Sequence, residues 1–300
     1  MRYKYLLISF LAFLPFWFAL NLFSEQADGL WYLKEFANKA SLSDAGTKES
    51  VELLKQARED QLLTKNLENL PINAFSAAVI RIGSSGNKIL LDKNIFSPQP
   101  PASLTKLMTA YVIYKLGNVY DPDVLVPVTS EAVRQEGVSG LKAGENYPAE
   151  VLLEKMLVES SNDSAFALAE FSGLDNFINL MNQTAIDIGL ENTFFRNATG
   201  LDEDGAEQNF SSALDLARLA GRISKEYPLI FKITLNPLDN TNELLGEYPE
   251  LIGGKTGWTP LAKGCLLVVF ERENERFVAV VLGADDRFAQ MRLILDTLKK

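Results

Sequence analysis

Two groups of strand-like runs, one on each side of a helical middle, constrain this chain more than any other feature. Ala77–Ile82 and Lys88–Leu91 come early, and the Ser-Ser-Gly-Asn cluster between them reads as a hairpin turn. Leu251–Thr256, Cys265–Glu271 and Phe277–Leu282 come late. Between the groups, apolar residues recur at helical spacing: Leu107, Ala110, Tyr111 and Tyr114, then Leu152, Leu153, Met156 and Leu157. Further helices are expected near 164–170, 174–188 and 212–223, with a last one from Ala289 to the end. Strands need partners. The pattern therefore predicts an α+β domain whose sheet joins both ends of the chain.

Composition narrows the chemistry. The 300 residues are 47% hydrophobic and 23% charged, which suits a folded protein with a sizeable core in one large domain or two small ones. Lys and Arg number 29 against 39 Asp and Glu, a formal charge of −10, so no basic nucleic-acid surface is expected. Cys265, the one cysteine, excludes an intrachain disulfide. The chain has no histidine, which excludes a Ser-His-Asp triad, a Cys-His pair and every histidine-containing metal site. A serine enzyme built from this chain must use lysine as its base.

The N-terminus carries a different signal. Arg2 and Lys4 precede an uncharged run from Tyr5 to Phe23, long enough to cross a bilayer as a helix, with Pro15 as a tolerated kink. A small-residue cleavage pattern is missing after it, so residues 1–23 are expected to be a retained anchor, with a cleaved signal and a secreted or periplasmic product as the alternative. The positive flank places the rest of the chain outside the cytoplasm. Residues 24–70 read as a polar membrane-proximal stalk with helical patches, and Pro71 as the start of the domain spanning 71–300.

Three fragments carry candidate chemistry. In Pro100-Pro101-Ala102-Ser103-Leu104-Thr105-Lys106, the prolines keep the approach extended and Ser103 falls where a helix would begin. Lys106, nearly one turn on, lies on the same side and could take the proton of the hydroxyl. The plainer reading is a helix cap beside a solvated lysine, and Ser85-Gly86-Asn87-Lys88 repeats the spacing inside the hairpin turn. Ser160-Ser161-Asn162 breaks two helices and could be a simple cap. Lys255-Thr256-Gly257 ends a strand begun by Gly253-Gly254, glycines that let another backbone come close. Each fragment is weak alone, and their order makes them strong together.

Serine-x-x-lysine, serine-x-asparagine and lysine-threonine-glycine in that order resemble the β-lactamase and penicillin-binding protein superfamily. The closer resemblance is to the low-molecular-mass D-alanyl-D-alanine carboxypeptidases, serine peptidase family S11. It covers Phe75 to Leu298 through PASLTKLMTA, VESSNDSAFALAE, NATGLDEDG, SSALDLARLAG, NTNELL, GGKTGWT and VVLGA. The fold implied is β-lactamase/transpeptidase-like, an antiparallel sheet flanked by helices plus a mostly helical subdomain. By this resemblance Ser103 attacks the bond between two D-alanines and forms an acyl-enzyme. Lys106 accepts its proton, which requires a pKa lowered by burial and by the charge of Lys255. Ser160 passes the proton to the departing amine, and Asn162 holds Lys106 and the substrate amide. Lys255, Thr256, Gly257, Trp258 and Arg287 form the substrate-binding set. Within it Lys255 supplies positive potential, the Thr256 hydroxyl receives the terminal carboxylate, and the N–H groups of Ser103 and Trp258 make the oxyanion hole. Arg287 is either a second carboxylate ligand or a plain surface arginine.

Some features depart from the family. Ala206 stands where familiar members often have histidine, and the deacylating glutamate of class A β-lactamases is missing between Glu191 and Asn197. Many members add a β-rich domain and a C-terminal amphipathic anchor; here the N-terminal segment is expected to replace that anchor. The expected partners are the peptidoglycan stem peptide as substrate, β-lactams as covalent inhibitors and the membrane. No metal or organic cofactor is implied. An endopeptidase of the same family and a penicillin-binding sensor without turnover are the competing functions.

Overall fold

The structure, a computed structural model, describes residues 44–83, 87–137, 140–202 and 208–299. The expected membrane segment, residues 24–43 of the polar spacer, Ser85 of the hairpin turn and Ala206 lie outside the described residues. The chain divides into two compact units, Met1–Leu62 and Leu63–Lys300. Helix α1 (Asp44–Glu68) runs across that division. Where the sequence shows only helical patches, α1 is continuous, because neither proline nor glycine interrupts it after Gly46. It stops short of Pro71, which disfavours helical geometry at Leu70. Leu67 is fully buried in the larger unit, so packing begins ahead of Pro71. No helix among the described residues is long and apolar enough to cross a membrane.

The larger unit is built on a five-stranded antiparallel sheet. Its strands are β1 (Ser76–Ile82), β2 (Lys88–Lys93), β5 (Leu251–Thr259), β6 (Lys263–Arg272) and β7 (Glu275–Ala284). Their order is β2-β1-β7-β6-β5. β1 pairs with β7 from Ser76↔Leu282 to Ile82↔Arg276, so the first strand and the last meet in the middle. That is the joining of chain ends expected from the strand pattern. Alternate residues serve opposite faces. Val278, Val280 and Leu282 join one buried core, and Phe277, Ala279 and Val281 join the other. Burial on both faces explains why these strands read as unbroken apolar runs.

Helix α2 (Thr105–Leu116) lies inside the first core, with α3 (Ala149–Leu157), α4 (Asn162–Phe171), α5 (Leu174–Asp187), α6 (Ala213–Glu226) and α7 (Leu229–Ile233) on the same side. Buried residues cover nearly every side of α2, from Thr105 through Ile113, as expected of a helix sunk in a core. The second face is covered by α8 (Arg287–Leu298) through Met291, Ile294, Leu295 and Leu298. A small sheet pairs β3 (Leu125–Pro127) with β4 (Asn146–Pro148). The sequence shows no strand pattern here, since strands this short leave no alternation to detect.

Candidate active site

Ser103 is presented by a strained turn. The 3-10 segment Ala102–Leu104 leads into α2, and Ala102 has φ of 48°, uncommon for a residue with a side chain. Two glycines make room for that turn. A Cβ on Gly200 (φ 83°) would lie 2.0 Å from the Ala102 carbonyl oxygen. A Cβ on Gly257 would lie 3.0 Å from the Ser103 nitrogen, so the end of β5 runs directly past the Ser103 amide.

Lys106 follows within the first turn of α2 and is fully buried. Its Nζ lies 2.9 Å from Ser103 Oγ, 2.6 Å from Asn162 Oδ1 and 2.7 Å from the Thr199 carbonyl oxygen. Lys255, on β5, is equally deep and donates to Ser160 Oγ at 2.8 Å and to its neighbour's carbonyl, Thr256 O, at 3.0 Å. Ser160, between α3 and α4, is held at φ of 63°. The helix-capping task there falls to Ser161, whose Oγ accepts from the Ser164 amide at 3.1 Å. Capping therefore engages neither Ser160 nor Asn162, and both side chains reach the lysines.

The electrostatics follow from burial. Desolvation drives the Lys106 pKa well below its ordinary 10.5, and the charge of Lys255 lowers it further. Burial, with Arg287 nearby, brings Lys255 down to about 7. An amine whose neutral form burial favours, 2.9 Å from a hydroxyl, can take its proton, which turns a poor nucleophile into an effective one. Cys265 is no rival: burial lifts its thiol to about 11 and keeps it protonated.

The remaining expected residues gather at the same end of β5. Thr256 is buried, and its Oγ1 lies 2.5 Å from Thr241 Oγ1, with either hydroxyl able to donate. Trp258 is 61% exposed beside it. Arg287 begins α8 and donates to the Gly257 carbonyl at 3.4 Å, its Cζ 4.7 Å from the Phe288 ring centre. Its Nε is buried without a partner, so Arg287 is not a plain surface arginine.

Sequence reasoning missed Thr199, Asn197, Asn209, Asp202 and Thr241. Asp202 accepts from Thr259 Oγ1 at 2.9 Å and from the Leu261 amide at 3.1 Å, tying the loop after Gly200 to the β5–β6 turn. Asn197 Oδ1 accepts from the amides of Thr199 and Gly200 at 3.2 and 2.7 Å, an asparagine-turn pattern that Asn197-Ala198-Thr199-Gly200 does signal.

Residues 64–286 match the family described as D-alanyl-D-alanine carboxypeptidase. The chain is 36% identical over 255 residues to D-alanyl-D-alanine carboxypeptidase DacF of Bacillus subtilis, covering 77% of this chain and 64% of that protein. It is 33% identical over 226 residues to DacA of Escherichia coli, covering 68% and 55%. The chain thus spans less than two thirds of either relative's length. Its fold is similar to that of a penicillin-binding protein from Listeria monocytogenes in its ampicillin-bound form, with TM-score 0.68 and 29% identity over 77% of this chain and 100% of that one.

Proposed function

The chain belongs to the D-alanyl-D-alanine carboxypeptidase family, and from that premise we propose that it removes the terminal D-alanine from peptidoglycan stem pentapeptides through an acyl-enzyme on Ser103. The observation that carries this reading is the Lys106 amine, buried, depressed in pKa and 2.9 Å from Ser103 Oγ. Ser103 Oγ attacks the carbonyl carbon between the two D-alanines while its proton moves to Lys106. The resulting oxyanion lies between the Ser103 and Trp258 amides, each donor worth about 3 kcal/mol in such sites. When the intermediate collapses, the C–N bond breaks and the leaving amine takes a proton through Ser160. Water then attacks the ester, and its second proton returns to Ser103 Oγ through Lys106. Asn162 holds Lys106 and the substrate amide. Lys255, Thr256 and Arg287 receive the terminal carboxylate at the end of β5, beside Gly257.

The same reading assigns residues 1–23 as a membrane anchor, the polar stretch after it as a spacer, and the unit whose packing begins ahead of Pro71, with Leu67, as the catalytic domain outside the cytoplasm, where its substrate lies. The support is the charged flank and uncharged run of the N-terminal sequence. β-Lactams, as analogues of the acylating peptide, are to be trapped on Ser103.

The test uses the full chain with a fluorescent penicillin and with a peptide ending in D-Ala-D-Ala. The expected result is one covalent adduct that peptide mapping places on Ser103, together with release of free D-alanine. Labelling at Ser85, or no labelling, would overturn the assignment, and an adduct without D-alanine release would make the protein a sensor.

A further inference from the structure

A neutral amine has two N–H bonds and one lone pair, and Lys106 has three polar neighbours at hydrogen-bonding distance. Two of them can only accept. The Thr199 group is a backbone carbonyl, and the Asn162 atom is its amide oxygen, because Asn162 Nδ2 already donates to the Glu136 carbonyl. Those two acceptors use both N–H bonds. The lone pair is then left facing the third neighbour, Ser103 Oγ, the orientation a general base needs. The Thr199 carbonyl is thus half of the device that aims the base, and what fixes it matters as much as what fixes Asn162.

Thr199 sits on a loop with no regular structure, and one side chain ties that loop to the start of α2. Asn209, 3% exposed, donates through Nδ2 to Thr105 Oγ1 at 3.1 Å and to the Asn197 carbonyl at 3.1 Å. Its Oδ1 accepts from the amides of Arg196 and Asn197 at 2.7 and 3.1 Å. Asn197 in turn holds the Thr199 and Gly200 amides. One turn along α2 from Thr105, Thr109 Oγ1 donates to the Ala198 carbonyl at 2.7 Å. Lys106 and its Thr199 acceptor are therefore held in register by a buried amide that bonds to the residue next to Lys106.

We propose that Asn209 is a positioning residue for the acylation chemistry: by clamping the Asn197–Gly200 loop to Thr105 it sets the Thr199 carbonyl, and through it the direction of the Lys106 lone pair. This rests on the reading of Ser103 and Lys106 as nucleophile and base. Lys255, from β5, is the charged group acting on Lys106, and Arg287, from α8, acts on Lys255 in turn. From α4 and from the loop, Lys106 meets an uncharged amide and an uncharged carbonyl.

The experiment follows β-lactam acylation of the full chain by stopped flow across pH, with thermal unfolding measured on the same samples. In Asn209→Ala the acylation constant is expected to fall at least about tenfold. The acid limb of its pH profile should move up, since a loosened loop admits water to Lys106 and restores its preference for the proton. Thr105→Val, which removes one anchor and leaves the Asn209 bonds to the loop, should shift both readouts the same way by less, and it decides the matter if Asn209→Ala does not fold. A lower melting temperature with an unchanged acylation constant and acid limb would overturn the proposal and leave Asn209 a purely structural residue. Failure of the unsubstituted chain to acylate would instead overturn the function reading, and the two failures are told apart before any variant is made.

Discussion

The two faces of the sheet are made from the same strands and ask different things of them. On one face Phe277, Ala279 and Val281 pack against Met291, Ile294, Leu295 and Leu298 of α8. Residues with positive φ at that end of the strands, Glu273 and Asn274, fall in the two-residue β6–β7 turn, where tight hairpins favour such angles. On the other face two lysines are buried, and Ala102, Ser160 and Gly200 take positive φ around them. There the backbone strain serves no hairpin. The difference teaches that buried ionisable groups and two of the strained backbone positions, both costly, sit where Ser103, Lys106, Ser160 and Lys255 meet. Substitutions on the two faces should therefore fail in different ways: rate on one, stability on the other.

The largest effect should come from the lysine beside the serine. Lys106→Ala is expected to slow β-lactam acylation at least about a hundredfold, the lower end for losing a general base, while the protein still folds. Stopped-flow acylation with circular dichroism on the same sample checks it, and a rate within a few fold of the unsubstituted chain would erase the contrast between the faces. Leu295→Ala, on α8 and fully buried, should do the reverse. A cost of about 2–5 kcal/mol in urea unfolding is expected, with the acylation constant per folded molecule unchanged.

Substrate discrimination sharpens the comparison further. A peptide with a free D-Ala-D-Ala carboxylate should be cleaved at least roughly tenfold faster, in kcat/KM, than its amidated form, because charge-assisted hydrogen bonds to Lys255, Thr256 and Arg287 are lost. Arg287→Ala should shrink that ratio and spare acylation by penicillin. Equal rates on the two peptides would favour an endopeptidase and leave the Ser103–Lys106 chemistry standing.

A smaller effect is in the pH dependence of stability. Below about pH 7 Lys255 carries its proton both folded and unfolded. Between about 7 and 10.5 the unfolded chain holds more protons than the folded one, so this group makes stability rise with pH across that window. Denaturation midpoints of the unsubstituted chain and Lys255→Met, compared at about pH 6 and about pH 9, should diverge in favour of the unsubstituted chain at the higher pH. Parallel behaviour would mean that the lysine keeps its ordinary pKa.

What the sequence disclosed follows from the kind of signal each part leaves. Ser103, Lys106, Ser160, Asn162 and Lys255 could be singled out because the chemistry proposed for them requires particular side chains within short fragments, and the central strands because both of their faces are apolar. The Thr199 carbonyl could not be read, since every residue has one and only the fold decides which faces Lys106. Asn209 meets Thr105 across 104 positions, a contact that no local pattern encodes. Thr241 was invisible for the same reason, its partner Thr256 lying on a strand 15 positions away. The three-residue strands of the small sheet were too short to alternate, and the cap that Ser160-Ser161-Asn162 could form falls on Ser161 alone, which the pattern does not single out.

Every step of the proposed acylation requires that a buried lysine is already neutral when Ser103 attacks. The pH profile of Ser103 acylation by a β-lactam in the unsubstituted chain tests it directly. The acylation constant should rise with pH and level off well below 10.5, the ordinary lysine value from which burial and Lys255 displace Lys106. A constant that keeps climbing about tenfold per pH unit as far as that ordinary value would contradict the claim, and with it the role given to Lys106.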